Sequence, residues 1–426
     1  MDITRRRFLA ASAGLTALSA RTEKPAGLIY RDSARTVAER VEDLLQRMTL
    51  EEKLAQLGCV DIGRLHKLGV LDDRGIFHAD IAARSLPNGI GELGRPTDPV
   101  VNATEVAVIP VREVTERINA MQAFARNQTR LGIPILVHEE ATHGLSGTPA
   151  TQFPSAMALG SSWDRDLLRS VFGVIGREAS VIGVGQALAP VLDVLRDPRW
   201  GRSDECYGED PYHVGEIGLA AVRGFQGESL PLAKGKVLVT LKHFAGHGQS
   251  QNGTNGGFVD ISERTMREVH IPPFAKAIQR GGALSVMCSY NDVSGVPNSA
   301  SHLMLTEILR DEIGFKGIVL SDYGRVHINL SVARSPQQAA VMALSAGIDI
   351  ETPNFEMFPL LAAEVQAGHI SMDLIDRAVR RMLSVKKAAG LFEARPARPD
   401  DAERLIDNAE ARATSRGEPP SAAPCY

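Results

Sequence analysis

The run Gly314-Phe315-Lys316-Gly317-Ile318-Val319-Leu320-Ser321-Asp322-Tyr323 decides how the chain is read. A short apolar segment follows a glycine and gives way to polar residues at its end, as a strand buried on both faces does. Such a strand needs helices on both sides, so the fold turns on whether similar runs recur with helical stretches between them. They do. Candidate strands lie at 90–94, 135–138, 186–190, 237–243, 284–290, 318–321 and 348–351, with helical patterns at 165–182, 263–280 and 336–346. Thr49 and Glu52 form a capping box that opens a helix running to Leu57, with Gly58 as its stop.

This alternation predicts an α/β fold of the (β/α)8 TIM-type barrel class. The stretch 65–112 is poorly defined and leaves one strand missing or reversed. Several strands end in polar residues: His138-Glu139-Glu140, Lys242-His243, Ser289-Tyr290-Asn291 and Ser321-Asp322. In such a barrel the C-terminal strand ends share one mouth, where chemistry gathers.

Composition removes other classes. Among 426 residues, 44% hydrophobic and 23% charged residues argue against long disorder, while 39 Gly and 23 Pro interrupt any long heptad pattern. A net charge of -4 gives no basic footprint, so neither nucleic acid nor an anionic membrane is expected as partner. Cys59, Cys206, Cys288 and Cys425 have no CxxC or CxxH spacing, and read as free, packed thiols. No HxH or paired acidic cluster stands at a strand end, so no metal or cofactor is expected. Arg5-Arg6-Arg7-Phe8-Leu9 before an uncharged, Ala-rich stretch to Ala20 is similar to a twin-arginine signal peptide over residues 1–20, which implies a periplasmic or secreted protein.

Three segments carry candidate chemistry. Asp322 puts a carboxylate directly after a buried strand, where it serves either as a helix cap or as a reactive group. Lys242 and His243 end another strand, and buried side chains of these types need partners, which the hydroxyls of a sugar supply. Arg196-Asp197-Pro198-Arg199-Trp200-Gly201-Arg202, followed by Glu205, concentrates charge around one of the two tryptophans; a salt-bridged loop is the competing reading.

From about residue 36 to 393 these pieces, in this order, resemble glycoside hydrolase family 3: Gly132-Ile133-Pro134, His138 to Gly144, the Asp197 to Arg202 loop, Lys242-His243-Phe244, Ser289-Tyr290-Asn291 and Ser321-Asp322. The resemblance implies a retaining β-glycosidase acting on oligosaccharides or glycosides, with Asp322 as nucleophile. It also implies that Glu140, Arg202, Lys242 and His243 bind the first sugar, with Tyr290 and Tyr323 beside the nucleophile.

Two departures from the family pattern matter. In most of the family the acid/base glutamate lies in a second α/β sandwich domain, which is expected to be absent from this chain. The Asp and His dyad of a variant branch is not found in the loop Gly248 to Asn255, so the acid/base is expected to be absent too, unless a separately encoded second domain supplies it. Residues 394–426 read as a linker remnant and disordered tail, as a frameshift or truncated gene would leave. A weakly active glycosidase and a non-catalytic sugar-binding remnant both stay open. Glu140 stands where the family's glucosidases carry aspartate, and Tyr323 where they commonly carry tryptophan. Both departures favour a pentose such as xylose over glucose.

Overall fold

Seven short strands form one parallel sheet in chain order: β1 Cys59–Asp61, β2 Glu92–Gly94, β3 Leu136–Glu139, β4 Gln186–Ala187, β5 Leu238–Phe244, β6 Ser285–Cys288 and β9 Ile318–Leu320, with a small hairpin, β7 Asp292–Val293 and β8 Val296–Pro297, apart from it. The computed structural model describes residues 28–98, 108–324 and 326–417. The expected signal peptide and Cys425 lie outside them.

The sheet curls until its edges meet. Ser321 N–H donates to Ile350 O (2.9 Å) and Cys59 N–H donates to Glu351 O (3.1 Å), so the segment around Ile350 bridges β9 to β1. The expected strand at 348–351 is therefore a pair of single bridges. The candidate strand at 90–94 is β2, and neither it nor any other strand of the sheet is reversed. Sequence patterning passed over β1, three residues that directly follow the capped helix Leu50–Gln56.

Thr49 accepts from Glu52 N–H while Glu52 accepts from Thr49 N–H, which is the capping box the sequence predicts. Helices Arg165–Val181 and Pro336–Ala346 occupy their predicted stretches. The pattern at 263–280 splits into Glu263–Thr265, a wider π-helical turn at Met266–His270, and Pro272–Gly281. Among the described residues no helix is long and apolar enough to cross a membrane.

The barrel interior is partly polar. Gln186 Nε2 donates to Thr240 Oγ1 (2.7 Å) and Ser285 Oγ (3.0 Å), tying β4, β5 and β6 below the mouth. These three side chains are fully buried, and their mutual bonds offset part of the cost of sinking polar atoms, with Gln186 Oε1 left without a partner among the described residues.

The linker remnant and disordered tail expected over residues 394–426 are corrected as far as residue 417. Helices Pro399–Leu405 and Ala409–Ser415 pack on Val111–Gln128 and Arg165–Val181. Both are too short to show an apolar period, and polar ties hold them: Arg112 bonds Asp400 and Glu403, and Asp407 N–H donates to buried Glu178 Oε1 at 2.8 Å. Residues 418–426 lie outside the described residues.

Candidate active site

Five of the expected site residues follow from where strands end. Glu140 comes directly after β3, Lys242 and His243 close β5, Tyr290 comes two residues after β6, and Asp322 two after β9. A regular strand alternates its side chains between two faces. Lys242 and His243 are adjacent yet both turn to the site, and the register against β6 shifts between Leu241 and Phe244, which breaks the alternation there. The peptide between them is cis.

Arg202 comes from a loop with a small core of its own. Trp200, 1% exposed, packs with Val191, Leu195 and Cys206, and this fixes the residue two positions on. Arg202 Nε and Nη2 donate to both oxygens of Glu205 at 2.7 and 2.8 Å. The salt-bridge reading thus describes part of its role. Its Nη2 also lies 3.0 Å from His243 Nε2, which carries it into the site. Asp197 pairs instead with Arg199 in the same loop.

Donor counting fixes the His243 ring. A guanidinium only donates, so Nε2 accepts from Arg202 and Nδ1–H donates to Asp193 Oδ2 at 2.7 Å. Burial, aided by the Arg202 charge, pushes His243 well below its ordinary value, which keeps the ring neutral. Lys242 Nζ donates to Glu140 Oε2 at 2.7 Å; Lys242 is buried while the Glu140 side chain is 28% exposed. Tyr290 lies with its ring 23° from the plane of His243.

Asp322 is 5% exposed. Its Oδ1 accepts the Tyr323 N–H (2.7 Å), and its Oδ2 makes no hydrogen bond among the described residues and sits 3.7 Å from His243 Nε2. Burial pushes its pKa up to about 6, and the Tyr323 N–H, the Arg202 charge, the Tyr290 hydroxyl and the Lys242 charge pull against that. The helix-cap reading does not hold for the side chain, whose only cap-like bond goes to the next residue. Tyr323 is partly exposed, and its hydroxyl lies 2.9 Å from buried His138 Nε2.

Sequence reading gave no role in the site to four supports: Asp193 under His243, Glu205 on Arg202, which it named only within the charged loop, and the pair His247 and Asn291. His247 Nε2 is 3.4 Å from Arg202 Nη1, and its Nδ1 is 2.5 Å from Asn291 Oδ1. Asp193 follows Pro190-Val-Leu after β4, so a carboxylate shortly past a strand end was the available signal. Burial pushes Asp193 up to about 8.

Against known proteins, residues 49–385 match the Glycosyl hydrolase family 3 N terminal domain. The chain belongs to glycosyl hydrolase family 3. It is 33% identical over 377 residues to a putative β-xylosidase of Formosa agariphila, covering 85% of this chain and 47% of that protein. It is 31% identical over 376 residues to a periplasmic β-glucosidase of Salmonella typhimurium, covering 87% and 45%. A solved β-glucosidase of Erythrobacter marinus superposes with a TM-score of 0.84 at 35% identity, over 92% of this chain and 50% of that one. The chain spans about half the length of these family relatives, which are glycoside hydrolases of β-glucosidase and β-xylosidase type.

Proposed function

We propose that the chain is the barrel part of an exported, retaining β-glycosidase that removes terminal β-D-xylosyl or β-D-glucosyl residues, with Asp322 as the nucleophile. The observation that carries this reading is the carboxylate itself: Asp322 Oδ2 is buried, has no hydrogen-bond partner among the described residues, and lies among Arg202, Lys242 and His243. A carboxylate that must attack carbon needs a free lone pair and enough positive field to ionise near neutral pH, and both are present. Glu140, Lys242, Arg202 and His243 offer acceptors and donors to a pyranose, and such contacts, strengthening as the ring flattens, lower the barrier.

The carboxylates beside them are engaged. Glu140 holds Lys242, Asp193 holds His243 and Glu205 holds Arg202. In this reading none of them protonates the leaving group, and the chain alone turns over weakly, with a separately encoded or appended second domain supplying the acid/base. A 2-deoxy-2-fluoro glycoside with a dinitrophenolate leaving group tests the nucleophile: it should leave a covalent sugar on the peptide containing Asp322. An adduct on another residue, or none after long incubation, would sink the assignment.

Substrate preference follows from Glu140. Its bond to buried Lys242 stops the side chain from swinging aside, so the extra methylene relative to aspartate occupies room that the hydroxymethyl group of glucose requires. Xylose lacks that group and is the favoured sugar. One methylene discriminates by about 1–3 kcal/mol, so Glu140→Asp should move the xylose-to-glucose affinity ratio toward glucose by roughly tenfold in calorimetry. An unchanged ratio would remove Glu140 from the account of specificity.

A further inference from the structure

Below the mouth, a chain of bonds crosses the barrel interior that the proposed chemistry does not use. The Tyr323 hydroxyl lies 2.9 Å from His138 Nε2, and His138 Nδ1 lies 2.9 Å from Glu92 Oε2. Glu92 stands on β2, His138 on β3 and Tyr323 just past β9, and both Glu92 and His138 are 0% exposed. Gly94 makes room for the imidazole, since a Cβ at that position would stand 2.8 Å from His138 Nε2.

The direction of these bonds can be worked out. Burial pushes the Tyr323 phenol well above its ordinary value, so it keeps its proton. With the imidazole neutral, a carboxylate against Nδ1 takes Nδ1–H, and Nε2 is then the acceptor of the Tyr323 O–H. Tyr323 therefore donates to His138, and His138 donates to Glu92. His138 and Glu140 are two residues apart on one extended segment, so their side chains share a side of it. The same short segment thus sets both the wall residue beside Asp322 and the carboxylate on Lys242.

We propose that His138, oriented by Glu92, is a positioning residue that holds Tyr323 at the wall of the first sugar subsite and thereby sets the preference between pentose and hexose. The proposal rests on the glycosidase reading above and adds a specificity device to it. A metal site is the rival use of these groups, since ligand atoms of Cys59, Glu92 and His138 lie within 4.8 Å of one another. Both His138 nitrogens are already bonded, and an ion would have to displace Tyr323 or Glu92.

The test uses the full chain with His138→Gln, Tyr323→Phe and the double variant. Xylose and glucose affinities by calorimetry should show each single change moving the ratio in the same direction by about threefold to tenfold, the effect of one neutral hydrogen bond. The double variant should move it no further than either single one, because both act through one bond. Factors that multiply, or a ratio moved by Tyr323→Phe and left alone by His138→Gln, would overturn the proposal. Should His138→Gln fail to fold, Tyr323→Phe, which loses one oxygen, carries a second readout. In ¹⁵N spectra of histidine-labelled protein it should shift the His138 Nε2 signal and leave Nδ1 nearly in place. This arm needs no sugar, so failure of the parent to bind any sugar counts against the glycosidase reading alone. An unmoved Nε2 signal, or one displaced in the parent by stoichiometric Zn²⁺, would overturn the proposed hold on Tyr323.

Discussion

Purified chain is expected to cleave 2,4-dinitrophenyl β-xyloside measurably and an alkyl β-xyloside at least about a hundredfold more slowly, since general acid assistance is commonly worth 10²-fold to 10⁴-fold. The reasoning starts from the carboxylates. Those around Asp322 are bonded to Lys242, His243 and Arg202, which leaves none of them to protonate a departing oxygen. A dinitrophenolate departs without a proton and an alkoxide does not, so the ratio reads acid catalysis directly. Asp322→Ala should bring the reaction with the activated substrate down to the uncatalysed background. With Asp322 at about 6, the rate should fall as pH drops through that value, because the attacking form is the carboxylate. Comparable rates for both leaving groups would mean that the chain holds its own acid/base, and a rate that survived Asp322→Ala would remove the nucleophile assignment.

How much of this site could be read beforehand depends on which residues speak locally. Asp322, Lys242 and His243 were legible because each closes or follows a short apolar run, and parallel strands buried on both faces declare themselves by such runs, while Glu140 and Tyr290 also stand at strand ends but were singled out by the resemblance to the family. Strand β1 did not, since Cys59–Asp61 is three residues long and is drowned by the capped helix before it. Arg202 was legible only as a charge in a dense loop. Its aim toward His243 depends on Trp200 folding into its own small core, a contact that spacing does not encode. Asp193, His247 and Asn291 were given no role for the same reason, and Glu205 was legible only as part of the charged loop. Asp193 touches His243, His247 touches Arg202 and Asn291 touches His247, all contacts between loops far apart in sequence, whereas Glu205 pairs within the loop that carries Arg202. The helices at 399–415 escaped because side chains elsewhere hold them, with Arg112 and Glu178 supplying the ties.

Asp322→Asn should make the protein more stable at pH 8 by roughly 3 kcal/mol and leave it nearly unchanged below about pH 4. Burial lifts the folded-state value of Asp322 to about 6 from 3.8. Below the lower value the carboxyl is neutral whether the chain is folded or open, and its burial adds no charge penalty. As pH rises through the interval the open chain ionises first, and above about 6 the fold carries the full cost of a desolvated carboxylate. A difference of about two units at 1.36 kcal/mol each gives the figure. Asparagine keeps the shape, and its Oδ1 can still accept the Tyr323 N–H, so the change isolates the charge. Glu139 and Asp193, each raised to about 8, and Glu351, raised to about 7, are shifted in the same sense. The contributions of Glu139 and Glu351 cancel in the difference between the two proteins, whereas Asp193, raised in part by the Asp322 charge, widens the gap in the same direction when that charge is removed. Urea midpoints taken from pH 4 to 8 measure the gap, which should open as pH rises. A gap that stayed flat would show that the carboxyl titrates alike in the folded and open chain, and a variant less stable than the parent at pH 8 would show that Asp322 is paired well enough to be stabilising, a poor arrangement for a group that has to leave its pair and attack carbon.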